Sequence, residues 1–426
     1  MEHKATGPRR RFLRKLLVVT VSIFVALVVV ELSLRFVRFS EPSLFYVYDH
    51  DRGIALRPLA EGWWHNENEN YVRINSWGFH DLEHTRTKQS GTLRIAVLGD
   101  SYAEALQVPL EDAFWAETER RLQQCPNIGG RKVEVLNFGV SGYGTAQELI
   151  TLRERVWDYS PDIVLLTFTA GNDLNDNLKQ LSNNTMRPYF VYRDGTLTLD
   201  RSTLDSREAS RRFRLRNSTV GRALDWLRQH LRAVQLVSSL DRAVAAESLA
   251  KPEPSGGSRE DESAPKQTSQ SQMTNSNSGG PMSGEPGLDD MVYHEPVNET
   301  WKEAWRVTEG LISQMHDEAK SRGATFYLVT LSNEAQVPPN AGDYEKTLQS
   351  LGVKDLFYPE RRIRALGERE RFPVLNLAPL LKDYAEKHAV YLHGFGERRG
   401  SGHWNQAGHR AAGEMIAGWL CAESTR

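Results

Sequence analysis

Cysteine is nearly absent from this chain: two residues, Cys125 and Cys421, among 426. One bridge at most can form, so no multi-disulfide framework holds the chain together. The pair is either joined after export or left as two buried thiols. An excess of charge is absent as well. The net charge of -2 points to neither nucleic acid nor a polyanionic partner. Long apolar runs are also missing, with one exception near the amino terminus.

That exception follows a basic cluster. Lys4, Arg9, Arg10, Arg11, Arg14 and Lys15 crowd the first fifteen residues, and Leu16 to Val30 then carries no charge. Leu32, Leu34 and Phe36 extend the run, so that Leu16 to Phe36 covers 21 residues, enough to cross a bilayer. Glu31 and Arg35 interrupt it four residues apart and can pair on a helix. The run leads into Glu-Leu-Ser-Leu-Arg-Phe rather than a small-residue cleavage site, which favours a retained signal anchor over a removed signal peptide. The run from Arg9 to Arg14 resembles a twin-arginine export signal, as an ordinary basic flank also does.

The expected organisation is a cytoplasmic tail over 1–15, a transmembrane anchor over 16–36 and an exported remainder, periplasmic or extracellular. Residues 37–90 read as an N-terminal extension of loops and a short hairpin packed on the main domain. Trp63 and Trp64 within it suit either a cleft or packing. The main domain occupies 91–424, with an insertion at 175–297. Inside that insertion, 251–289 is rich in Ser, Gly, Pro, Glu, Asn and Gln and lacks large apolar residues. It cannot bury a core and is expected to be disordered.

The main domain alternates strands and helices. Short apolar runs at Ile95–Leu98, Val133–Phe138, Ile163–Thr169, Thr325–Thr330 and Val374–Leu377 predict five parallel strands. Helices between them cover both faces of one sheet. The first three strands end in small polar turns: Gly99-Asp100-Ser101, then Gly139-Val140-Ser141-Gly142, then Ala170-Gly171-Asn172-Asp173. A parallel sheet gathers such ends at one rim, where clefts form. Ser101 offers a hydroxyl nucleophile. The Gly139 amide, the Asn172 side chain and the Ser101 amide offer three donors for an oxyanion hole. His403, on a glycine-rich loop after the last strand, offers a base. Each also has a plain structural role available: helix cap for Ser101, tight turn for Gly139, local hydrogen bonding for Asn172, packing beside Trp404 for His403. His393 and His409 compete for the role of base, and His409, inside the last helix, suits a structural one. Asn405 suits the N-cap of that helix.

The set Gly99-Asp100-Ser101, Gly139, Gly171-Asn172-Asp173 and His403 resembles the SGNH/GDSL hydrolases over Leu93 to Leu420, the insertion excepted. The resemblance implies an α/β fold: a three-layer α/β/α sandwich, flavodoxin-like, with a five-stranded parallel sheet. It implies an esterase, lipase or deacetylase acting through an acyl-enzyme, with neither metal nor cofactor. Catalysis would rest on Ser101 and His403, and the oxyanion hole on Ser101, Gly139 and Asn172. The expected partners are an ester or acylated glycan at the cell envelope and the membrane itself. Two other readings stand beside the hydrolase: an O-acyltransferase passing acyl groups to a surface glycan, and a non-catalytic acyl-sugar binding module. The module reading draws on one departure. Family members carry an aspartate two or three residues before the histidine, where this chain has Ser401 and Gly400. The nearest acid in sequence is Glu397, so the site is expected to be a Ser-His dyad or to use Glu397. In a flavodoxin-like fold the first and last helices lie side by side, which implies that Cys125 and Cys421 form a disulfide.

Overall fold

The computed structural model describes residues 8–38, 44–182, 184–240 and 290–424. The chain divides into two compact units. One comprises Met1–Glu41 and Arg216–Gly279, the other Pro42–Leu215 and Gly280–Arg426. The expected disorder over 251–289 lies outside the described residues.

In the larger unit five parallel strands form the central sheet. They are β5 (Thr92–Leu98), β6 (Lys132–Asn137), β7 (Ile163–Phe168), β10 (Thr325–Thr330) and β11 (Val374–Asn376), in the order β11-β10-β7-β5-β6. This is the flavodoxin-like order, with the first of the five between the second and third. The strands are buried on both faces. Ile95 and Val97 belong to one apolar cluster with Leu165 and Val329, while Ala96 and Leu98 belong to another with Leu166 and Leu328. Alternate residues of one strand thus serve opposite layers. Arg94 is tolerated in β5 because its fully buried guanidinium is paired. It bonds the Glu134 carboxylate at 2.6 and 3.0 Å and the Tyr159 carbonyl at 2.6 Å.

Helices α3 (Phe114–Leu122) and α14 (Gln406–Glu423) share one face with α13 (Leu377–His388). Helices α4 (Thr145–Glu154), α10 (Glu299–Ser321) and α12 (Tyr358–Glu370) share the other. Asn405 caps α14, accepting from the Ala407 and Gly408 amides. Short helices α2 (Ser101–Glu104) and α5 (Ala170–Asn177) open directly from β5 and β7. The sequence suggests a turn at 170–173; the chain instead begins α5 there, because the Asp173 carboxylate takes the Thr169 N–H at 2.8 Å and satisfies a first-turn donor. The stretch before the sheet holds two antiparallel hairpins rather than one. These are β1–β2 (Tyr46–Asp49, Gly53–Leu56) and β3–β4 (Glu61–Trp64, Asn70–Arg73). Phe45, Leu56, Trp64 and Val72 join the core on the α4–α10 side. A third hairpin, β8–β9 (Tyr189–Arg193, Thr196–Asp200), turns at Asp194-Gly195.

In the smaller unit α1 (Pro8–Leu34) contains a stretch, Phe12–Leu34, long and apolar enough to cross a membrane. Helix α8 (Thr219–His230) stops at Leu231, and α9 follows, described over 232–240. The remaining helices are α6 (Lys179–Ser182), α7 (Arg207–Asn217) and α11 (Ala341–Leu351).

Cys125 and Cys421 are bonded, their Cα atoms 5.9 Å apart, and tie the end of α3 to the end of α14 across 296 residues of sequence. Such a loop closure contributes roughly 2–5 kcal/mol, chiefly by restricting the unfolded chain. Replacing both cysteines by alanine is expected to lower the thermal midpoint by several degrees in non-reducing buffer. Adding reductant is expected to lower the parent to match; calorimetry of the two proteins checks both.

Candidate active site

The turn after β5 is fixed by Asp100. Its carboxylate caps α2, accepting the Tyr102 N–H at 3.0 Å, and also accepts from Asn172 Nδ2 at 3.0 Å. Asp100, not Ser101, is therefore the helix cap, and Ser101 opens α2 while only 3% exposed. The bond to Asn172 joins the β5 and β7 turns. The β6 turn joins them by close approach. A Cβ at position 139 would stand 2.5 Å from the Ala103 Cβ and 2.7 Å from the Glu104 nitrogen, so only glycine lets this loop lie on α2. The Gly139 N–H donates to Asn137 Oδ1 at 2.9 Å, so an oxyanion at this rim competes with Asn137 for that donor.

His403 reaches the same rim. Its ring lies 5.1 Å from that of Tyr102, the neighbour of Ser101. The carboxylate beside its ring is not that of Glu397, which is exposed. The carboxylate is that of Glu67, at the tip of the β3–β4 hairpin. Both Glu67 oxygens stand 3.0 Å from His403 Nδ1, and one accepts the His403 backbone N–H at 3.1 Å. With Nδ1 donating to Glu67, the proton acceptor of the neutral ring is Nε2. Glu67, in the loop between β3 and β4, adopts φ +66, costly for a residue with a Cβ. Gly402, at φ +88, leaves the room: a Cβ there would come within 2.7 Å of Glu67 Oε1. Asn68 and Asn70 fasten the hairpin behind α2, donating to the carbonyls of Gln107, Leu106 and Val108 at 2.9, 3.0 and 2.6 Å.

The two competing histidines make other contacts. His393 sets Nδ1 on the Gly402 carbonyl at 2.7 Å and Nε2 beside Ser332 Oγ at 3.2 Å. His409 accepts the Phe114 N–H at 3.3 Å, and burial lowers its pKa to about 3. Among the described residues no group of three His, Cys, Asp or Glu side chains is placed to hold a metal ion. A groove of about 670 Å³ between the β8–β9 hairpin, α10 and α12 contains none of the four predicted site residues.

Beneath the rim lie buried carboxyls. Glu104 accepts from Tyr46 Oη at 2.9 Å and from the Ser141 N–H at 3.1 Å, which anchors the β6 loop. Burial raises its pKa to about 7. Glu148 and Asp173 are pushed well above the carboxylate range, first by burial and then by neighbouring acids, Asp100 among them.

No protein-family model matches the chain, and no curated protein matches its sequence. Solved structures match it only distantly. An acetyl xylan esterase matches at 12% identity and TM-score 0.36, covering 76% of this chain and 99% of its own. A lipase from a goat rumen metagenome matches at 14% and 0.36, covering 77% and 98%. A GDSL-like lipase from Bacteroides thetaiotaomicron matches at 12% and 0.30, covering 80% and 93%. Likeness this distant bears on neither substrate nor mechanism.

The Glu104 proton makes the site sensitive to pH. Its folded pKa lies above the ordinary 4.5, so the protonated form's contribution to stability is complete below that value. It is lost as pH rises to about 7. Glu104→Gln is expected to flatten the fall in stability across this window by up to about 1.4 kcal/mol per pH unit. Urea midpoints of both proteins at the two ends of the window measure it. Glu360, raised likewise to about 7 by burial, contributes equally to both and cancels.

Proposed function

We propose that this protein is a serine esterase held at the membrane by α1, with a Ser101–His403–Glu67 triad. The observation that carries the reading is the Glu67 carboxylate on His403 Nδ1, 3.0 Å away, beside the α2 turn that bears Ser101. Ser101 Oγ attacks the ester carbonyl while His403 Nε2 takes its proton. Glu67 stabilises the imidazolium so formed. Negative charge on the carbonyl oxygen is met by the Ser101 N–H, by Asn172 Nδ2 and by the Gly139 N–H, drawn from Asn137. Collapse expels the alcohol with the proton from His403. Water, deprotonated by the same ring, then releases the acid and restores Ser101.

The reading as a binding module drew on a missing acid, and Glu67 stands in that place. An O-acyltransferase would use the same acyl-enzyme with a glycan hydroxyl instead of water. The anchor, with its basic flank held in the cytoplasm, puts the larger unit on the outer side of the membrane. Acylated glycans and lipids of the envelope are then the substrates within reach.

A fluorophosphonate probe is expected to label the protein and to lose its label with Ser101→Ala. A fully labelled Ser101→Ala protein would sink the assignment. Glu67→Gln is expected to lower kcat on 4-nitrophenyl acetate by about 10³ to 10⁴-fold, as losing a triad carboxylate does elsewhere, while Glu397→Gln stays within about twofold of the parent. Steady-state kinetics, with thermal midpoints to check folding, decide between the two acids.

A further inference from the structure

The smaller unit has apolar surface and almost nothing to bury it in. Helix α8 places Val220, Ala223, Leu224 and Leu227 at the i, i+3, i+4, i+7 spacing of one face, yet none of its residues is buried. Val220 is 69% exposed, Leu224 52% and Trp226 56%; on α9, Val237 is 68% exposed. The other side of α8 carries Arg222, Asp225, Arg228 and Gln229. The 219–240 stretch holds three arginines against one aspartate.

Glu31 fixes the depth of this surface. A carboxylate inside a membrane span is expensive unless paired. Glu31 has partners: Arg35 at 3.7 Å, and the backbone N–H groups of Arg232 and Ala233 at 3.0 and 3.1 Å. Those two amides open α9 and would otherwise lack intrahelical acceptors. Glu31 stands three residues before the end of the Phe12–Leu34 span, about 5 Å along the helix axis. With α1 spanning a bilayer, α9 would start at the level where hydrocarbon gives way to headgroups.

We propose that α8 and α9 lie in the outer lipid interface of the membrane that α1 crosses. Val220, Leu224 and Val237 face the acyl chains, and Arg222 and Arg228 face lipid phosphates, with Trp226 on the polar side at headgroup level. The inference rests on α1 being a membrane span. A bilayer fits better than a protein partner because α9 is joined through Glu31 to α1, whose apolar surface is itself unburied, and because the stretch is basic.

The disulfide leaves no free thiol, so single cysteines can be spin-labelled in the full-length protein. Leu224→Cys, Val237→Cys, Gln229→Cys and Val25→Cys are examined in phosphatidylcholine–phosphatidylglycerol vesicles, by collision with oxygen and with a water-soluble nickel complex. Labels at 25, 224 and 237 are expected to favour oxygen, 25 most strongly, and the label at 229 to favour nickel. Nickel access at 224 and 237 with oxygen access at 25 would overturn the interfacial placement and leave the anchor standing. Nickel access at 25 would overturn the anchor and the placement with it. Shielding of 224 and 237 from both reagents would put that face against protein, a second copy included, and would equally overturn the proposal.

Discussion

The position of His403 at the candidate site rests on one hydrogen bond, from its Nδ1 to the Glu67 carboxylate. It fixes which ring nitrogen carries the proton, and it holds the His403 backbone through a second bond to the same carboxylate. A hydrogen bond this enclosed positions the ring only if its geometry is maintained. The β3–β4 hairpin is accordingly fastened by Asn68 and Asn70 to the carbonyls behind α2. The strained φ of Glu67 is tolerated because its surroundings determine it on every side.

The same dependence runs through the rest of the rim. Residues that precede the sheet in sequence supply most of the supports. Tyr46 holds Glu104, His80 Nδ1 holds the Glu104 carbonyl at 2.7 Å, and Asp81 accepts the Asn137 N–H at 2.8 Å. Asn137 in turn holds Gly139. The extension is thus a working part of the rim rather than a linker between membrane and domain. On the far side, Arg187 ties the Gly142 carbonyl to Asp176 of α5, at 2.5 Å to each, joining the β6 and β7 turns a second time.

Burial sets the electrostatics. The ionised forms of Glu104, Glu148 and Asp173 are disfavoured by loss of water before any neighbour is considered. Under the proposed mechanism, neutral Glu148 and Asp173 beneath the rim would add no repulsion to the oxyanion. The charge of Asp100 is offset locally by its donors, the Tyr102 N–H and the Asn172 amide.

By itself the sequence determined the five parallel strands, the rim that carries Ser101, Gly139, Asn172 and His403, and the apolar span. Periodicity and turn chemistry are local signals, and apolar runs ending in Gly-Asp-Ser or Gly-Asn-Asp leave few other choices. It also held the disulfide, once the two outer helices were placed side by side. Only the tertiary structure put a carboxylate against His403. Glu67 is 336 residues from His403 and sits in the run Asn66-Glu67-Asn68-Glu69-Asn70, where nothing local separates it from Glu69. The start of α5 at Ala170 and the bond from Gly139 to Asn137 were hidden for the same reason. Which partner a carboxylate or an amide takes is settled by chain segments that meet only when the domain folds.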